Sequence, residues 1–167
     1  NFFNGEGTKG GFSYHLDEVA LEPSDLPDDF YSTHAFTDYG KQFIEERDKT
    51  KPFFMYMAYN APHYPLHAPK EEVLKYQGKY MDGWQKVRDD RFVRLKELGI
   101  IDADAEFSNS EKVIGGWDQL SEAEKIDMDL RMATYAAMID IVDQQVGRLV
   151  ETLKDQSIYE DLDHLPK

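Results

Sequence analysis

The chain contains no cysteine, which excludes disulfides, thiolate metal sites and a cysteine nucleophile within these residues, and leaves the redox compartment undetermined. Long apolar runs are missing too. None approaches the roughly 20 residues a helix needs to span a bilayer. The start, Asn1-Phe2-Phe3, has neither an initiator Met nor a basic-then-apolar signal region, so the expectation is of a piece cut from a longer chain. Positive charge is scarce: 19 Lys and Arg face 33 Asp and Glu, a net charge of −14. Such a chain repels polyanions at long range, which argues against nucleic acid or an anionic membrane as partner. Disorder does not follow, because 41% hydrophobic and 13% aromatic residues suffice for a core. The acidity therefore belongs to the solvated surface of a folded body, and 167 residues fit one domain.

Residues 1–30 are loop-rich, with Gly5, Gly7, Gly10, Gly11, Pro23 and Pro27 favouring turns and at most one hairpin. At Ser32-Thr33 a hydroxyl pair is suited to cap a first helical turn, and Phe36, Tyr39, Phe43 and Ile44 recur at helical spacing, predicting a helix over 33–47. After the polar Asp48-Lys-Thr-Lys51, the run Phe53-Phe-Met-Tyr-Met-Ala-Tyr59 is apolar without period-two alternation. It reads as a central parallel strand buried on both faces. Helix, short turn and buried strand make half of a βαβ unit, hence an α/β sheet covered by helices.

Further helices are expected at 70–77 and about 82–98, the latter with Trp84, Val87, Phe92 and Leu95 on one face and a stop at Gly99. Residues 99–118 read as loop. Ser121 and Glu124 form a capping box that opens the longest helix, about 121–154, whose expected buried stripe is Ile126, Leu130, Tyr135, Ile139, Val142, Val146, Leu149 and Leu153. The organisation is one domain part over 1–167: loop-rich 1–30, helix, strand and site loop 31–69, helical segment 70–154, polar tail 155–167. One central strand against at least three helices is an imbalance. A buried strand without neighbours leaves its N–H and C=O groups unpaired at about 1–3 kcal/mol each. Missing segments are therefore expected both before residue 1 and after residue 167.

In open α/β sheets, ligands bind beyond the carboxyl ends of the strands, where loops diverge. The loop Asn60-Ala-Pro-His-Tyr-Pro-Leu-His-Ala-Pro69 lies there, and Pro62 and Pro65 stiffen it on either side of His63. The His63 imidazole is suited to hydrogen-bond an anion or protonate a leaving oxygen. It is equally suited to tie down a proline-rich loop, and position alone does not separate the two. His63 and His67 have the i, i+4 spacing of paired zinc ligands, but that geometry needs a helix, which the prolines forbid. Asp89-Asp90 and Asp102-Ala-Asp104 lack a calcium-loop pattern. Asp140 and Asp143 read as solvated or N–H-bonded carboxylates, and Met132 and Tyr135 as core. No metal site is assigned.

The stretch Lys51-Pro-Phe-Phe-Met-Tyr-Met-Ala-Tyr-Asn-Ala-Pro-His-Tyr-Pro-Leu-His-Ala-Pro69 resembles the arylsulfatase signature, in which a buried strand runs into an Ala-Pro-His-x-Pro-Leu loop. The resemblance to the sulfatase family continues through Tyr31-Ser-Thr33, Phe36-Thr-Asp38, Lys75-Tyr-Gln-Gly-Lys-Tyr80 and Arg91-Phe-Val-Arg-Leu-Lys-Glu-Leu-Gly99. It resumes at Tyr135-Ala-Ala-Met-Ile-Asp140 and Val146-Gly-Arg-Leu149, covering most of residues 30–154. It implies a partial alkaline-phosphatase-like α/β fold and hydrolysis of sulfate esters. It also implies a formylglycine nucleophile made from Cys or Ser in a Cys/Ser-x-Pro-x-Arg motif, and a Ca2+ ion held by carboxylates and an amide against the sulfate oxygens. The family is typically periplasmic, secreted or lysosomal. The histidine matching His63 contacts the sulfate and is placed to assist the leaving oxygen. That role carries over to His63 only; Tyr64 beside it is the candidate for extending the substrate contact.

The departures concern activity. The chain has no Cys and no Ser-x-Pro-x-Arg, and it lacks the early Asp-Asp calcium pair, the Gly-Lys-Trp-His segment and the later Asp-Asn-Gly segment. His67 stands where Gln is more usual. The expectation is that this polypeptide alone hydrolyses no sulfate ester, and that the remaining parts of the fold supply nucleophile and metal. The alternative is a non-catalytic interaction or structural module derived from the same fold. A related phosphatase or phosphodiesterase is a third reading, disfavoured by the arylsulfatase-like loop.

Overall fold

A computed structural model gives the fold and describes residues 14–107 and 116–160. The start of the loop-rich segment, the middle of the 99–118 loop and the end of the tail lie outside the described residues. The elements run β1 Tyr14–Leu16, β2 Val19–Leu21, α1 Ser32–Glu46, α2 Lys70–Leu74, α3 Trp84–Glu97 and α4 Glu122–Asp155, with 3-10 turns at Pro23–Asp25 and Trp117–Gln119. The described residues group into two compact units, 14–68 with 138–160, and 69–107 with 116–137. No helix among them is long and apolar enough to cross a membrane.

In the first unit, β1 and β2 form an antiparallel hairpin, Tyr14 opposite Leu21 and Leu16 opposite Val19. The two-residue turn places Asp17 at φ 55, a left-handed conformation that Asp tolerates through its short polar side chain. Tyr14 packs edge-on against Phe30 at 4.9 Å and Phe36 at 6.3 Å, tying the hairpin to α1. α1 forms where its spacing predicts, but its cap and its buried face both correct the expectation. The residue preceding the helix is Tyr31, which makes no capping bond, and Ser32 is already helical. The inward face is Thr33, Thr37, Gly40 and Ile44, while Phe43 is 54% exposed. Small residues win this face because Gly40 lets Met57 and Leu149 come close: a Cβ there would lie 3.0 Å from the Met57 sulfur and 3.4 Å from Leu149 Cδ2.

The run 53–59 is the largest correction. Among the described residues it pairs with no strand, and the only sheet is the β1–β2 hairpin. Far from being buried on both faces, it exposes Phe54 at 92% and Tyr56 at 81%, whereas Met55, Met57 and Tyr59 are half-buried. A ladder requires a neighbouring backbone, and no described segment offers one. α1 covers the side carrying Met57 and Tyr59; the other side is open. At its entrance the Arg47 guanidinium lies 5.6 Å from the Phe53 ring, donates to the Ile44 carbonyl at 2.5 Å and reaches Gln156 Oε1 at 3.4 Å. That side chain therefore ties the end of α1 to the end of α4.

In the second unit, α2 is shorter than expected, ending at Leu74 in successive turns. α3 keeps Trp84, Val87, Phe92 and Leu95 half-buried on one side, as their spacing predicts. It ends at Gly99, φ 66, with Ile100 N–H on Leu95 O and Gly99 N–H on Lys96 O, both 3.0 Å, a Schellman stop of the kind glycine permits. Phe92 meets Phe107 edge-on at 4.6 Å, and Trp84 meets Trp117 at 5.1 Å. The buried carboxylate of Asp129 accepts the amides of Gly78 at 2.7 Å and Tyr80 at 2.9 Å, pinning the turn after α2 to α4.

α4 opens on the predicted capping box. Ser121 N–H donates to Glu124 Oε2 at 2.8 Å and Glu124 N–H to Ser121 Oγ at 3.4 Å. Its buried face differs from the expected stripe. Ala133, Ala137, Met138, Ile141 and Leu149 are inside, with Asp129, Gln145 and Thr152, while Ile126, Leu130, Tyr135, Ile139 and Val146 are 36–51% exposed. Large apolar residues lie on more than one side of the helix, so residue size does not reveal the packed side. The side with alanines is the one that permits close approach.

Candidate functional site

The loop 60–69 carries the sequence-predicted residues. Its backbone folds back at once, His63 N–H donating to Asn60 O at 2.9 Å, and the Ala61-Pro62 and Tyr64-Pro65 peptide bonds are cis. His63 and Tyr64 point outward, Tyr64 with 74% exposure, and His67 is exposed as well. His63 Nδ1 lies 2.5 Å from the Tyr64 carbonyl. A carbonyl only accepts, so Nδ1 carries the proton in this contact. With Nδ1 protonated, Nε2 accepts in the neutral ring, and it donates to an anion or a leaving oxygen only when the ring is the doubly protonated imidazolium.

Two side chains of the α1 region hold this loop, and sequence reasoning did not single them out. At the loop entrance the Tyr59 hydroxyl lies 2.8 Å from Thr37 Oγ1, and at its exit the Tyr31 hydroxyl donates to the His67 carbonyl at 3.0 Å. The Tyr31 ring sits between the rings of His34 at 5.2 Å and His67 at 5.9 Å. Burial pushes the Tyr31 phenol above its ordinary value of about 10, with a hydrogen bond involving Thr33 acting weakly in the other direction. The group therefore keeps its proton, and with it the bond to His67.

Beside Tyr31, a cavity of about 310 Å³ opens at the start of α1, lined among others by His34, Asp38, Gln145 and Arg148. Its guanidinium is paired internally: Arg148 Nη2 donates to Asp38 Oδ1 and Nη1 to Gln145 Oε1, each at 2.6 Å. Neither His63 nor Tyr64 lines it. Tyr31-Ser-Thr33, Phe36-Thr-Asp38 and Val146-Gly-Arg-Leu149, separate in sequence, thus meet around the loop and the cavity. Their shared likeness to one family was the signal from which Tyr31, Asp38 and Arg148 were recoverable.

Elsewhere the carboxylate clusters are engaged locally. Asp89 accepts from Gln85 at 2.7 Å and Asp90 pairs with Lys86, while Asp143 is exposed on α4. Among the described residues no three His, Cys, Asp or Glu side chains converge as metal ligands.

The sulfatase family model matches residues 1–162. The arylsulfatase of Klebsiella aerogenes is 40% identical over 129 residues, 77% of this chain and 28% of that protein. An uncharacterized sulfatase of Schizosaccharomyces pombe is 34% identical over 126 residues, 75% of this chain and 23% of its own length. Arylsulfatase J of Mus musculus is 35% identical over 78 residues, covering 47% of this chain and 12% of that protein. The chain thus spans between a quarter and three tenths of the first relative, and less of the others.

Proposed function

The chain belongs to the sulfatase family, a family of sulfate ester hydrolases with an alkaline-phosphatase-like α/β fold, and from that premise we propose that residues 1–167 are an internal part of the catalytic domain of such a hydrolase. In this reading His63 contacts the sulfate group and stands by the leaving oxygen, with Tyr64 extending the contact to the rest of the substrate. The observation that carries the reading is the outward-facing imidazole on a loop braced at both ends, in the segment that resembles the arylsulfatase signature. A rigid mount of this kind lets a group act on a reacting bond without first losing conformational freedom.

The residues here do not fit the cofactors the family implies. There is no Cys and no Ser-x-Pro-x-Arg from which a formylglycine arises, and the described residues form no cluster suited to calcium. The chemistry assigned to this chain is accordingly confined to His63 and Tyr64, with nucleophile and Ca2+ supplied by other segments of the same fold. The open side of the 53–59 run, where Phe54 is 92% exposed, supports a sheet completed by such segments.

Incubating the chain on its own with a chromogenic aryl sulfate and calcium tests this reading. No turnover is expected. Calcium-dependent turnover that disappears in His63→Ala would show that the chain is a self-sufficient hydrolase and overturn it.

A further inference from the structure

Among the described residues, two side chains at and just before α1 hydrogen-bond the two ends of the loop that carries His63, and both are buried. Thr37 is fully buried and Tyr31 is 8% exposed. The direction of the first bond follows from proton counting. The Thr37 hydroxyl has one proton and lies 3.0 Å from the Thr33 carbonyl, which only accepts. Thr37 Oγ1 therefore accepts from the Tyr59 hydroxyl, so both tyrosines act as donors. Tyr59 ties the residue before the loop to α1, and Tyr31 ties α1 to the loop near its far end. The attachment points on the α1 side are residues 31 and 37, about 9 Å apart along a helical rise of 1.5 Å per residue.

Between the two attachments the loop has little freedom of its own. Pro62 and Pro65 fix backbone angles, and His63 N–H closes a turn onto Asn60 O. α1 is in turn held within its unit. Asp38 pairs with Arg148 of α4, and Gly40 lies against Met57 and Leu149. Position passes from α4 to α1, from α1 to the two ends of the loop, and from the loop to the imidazole.

We propose that Tyr31 and Thr37 are positioning residues for His63, setting where its imidazole stands in the completed site through hydrogen bonds to the two ends of its loop. The proposal rests on the reading of His63 as the substrate contact. Neither residue touches substrate; each acts through the loop. Misplacement of a reacting group by about 1 Å is enough to cost up to roughly a hundredfold in rate, so partial slackening of a loop with one anchor remaining is expected to cost about tenfold.

The experiment uses the complete enzyme that contains this segment, assayed on an aryl sulfate. Tyr31→Phe removes one hydroxyl and keeps the buried ring; Thr37→Val removes the other at nearly constant volume; Thr37→Ser restores a hydroxyl. Tyr31→Phe and Thr37→Val are each expected to lower kcat about tenfold with KM changed less than about twofold, and Thr37→Ser to recover most of the loss. Because these residues act through His63, adding Tyr31→Phe to His63→Ala lowers kcat no further than His63→Ala alone. Wild-type kcat in both Tyr31→Phe and Thr37→Val, or full additivity with His63→Ala, overturns the brace while leaving the His63 reading in place. Wild-type turnover in His63→Ala overturns the reading and the brace with it.

Discussion

Replacing Asp129 by alanine removes the one carboxylate that accepts from two successive points of the turn after α2, the amides of Gly78 and Tyr80, at 2.7 and 2.9 Å. Asp129 is 4% exposed, so its side chain was bonded in the folded state at the expense of solvation. Hydrogen bonds to a charged group contribute about 1.5–3 kcal/mol each, and an orphaned buried amide costs about 1–3 kcal/mol. Gly78 is itself exposed and its amide can turn to water, which puts the net loss near the lower end, about 2–3 kcal/mol for the pair. Native-state hydrogen exchange reads this locally: exchange at Gly78 and Tyr80 should accelerate roughly 30- to 160-fold at about 1.36 kcal/mol per factor of ten. The Tyr80 phenol gives a second readout. Burial first, and the charge of Asp129 second, hold it above its ordinary value, so Asp129→Ala should lower its titration midpoint without bringing it fully back. Unchanged exchange at both amides, with an unshifted Tyr80 titration, would refute the assignment of Asp129 as the anchor of that turn.

Gly83 sits at φ 90 with the Trp117 ring so close that a Cβ would lie 2.6 Å from its Cγ. Gly83→Ala should therefore destabilise by about 2–4 kcal/mol through backbone strain and overpacking and shift the tryptophan fluorescence of the Trp84–Trp117 pair; an unchanged spectrum and thermal midpoint would contradict this. The Glu124 carboxyl is held below its ordinary value of about 4.5 by the Ser121 hydroxyl and then by the Ser121 amide. A folded-state value below the unfolded one means that the unfolded chain binds more protons in that window. The contribution of this cap is thus present above about 4.5 and lost as pH falls through the depressed value. Helical circular dichroism should show an acid-induced loss at the start of α4 that Ser121→Ala weakens, and an identical acid limb in both proteins would exclude it.

The helices were legible because each carries its own local instructions. The Ser121–Glu124 box and the stop at Gly99 are made by residues close in sequence, and periodicity marked α1, α3 and α4 to within a residue or two. What was not legible depended on neighbours. α4 has large apolar residues on one side and alanines on another, and only packing decides that Ala133, Ala137 and Ile141 go inside while Ile139 and Val146 stay out. The 53–59 run has the composition of a doubly covered strand, but the described residues cover one side of it. His63 was singled out by its place in a proline-bound loop together with the arylsulfatase-like segment around it, and its role is the proposal made above. The family likeness marked the segments that hold Tyr31 and Thr37 but not what their hydroxyls do, because a tyrosine ahead of a helix and a threonine within one are ordinary, and only the fold brings those hydroxyls to His67 and Tyr59.

His63 is the residue on which the functional reading stands. The direct measurement is kcat/KM of the complete enzyme for a series of aryl sulfates with progressively poorer leaving groups, wild type against His63→Ala. If His63 touches the sulfate and assists the leaving oxygen, the substitution lowers kcat/KM by about a hundredfold or more, and the loss widens as the leaving phenol becomes less acidic. Wild-type kcat/KM across the whole series would contradict any role for His63 in the reaction.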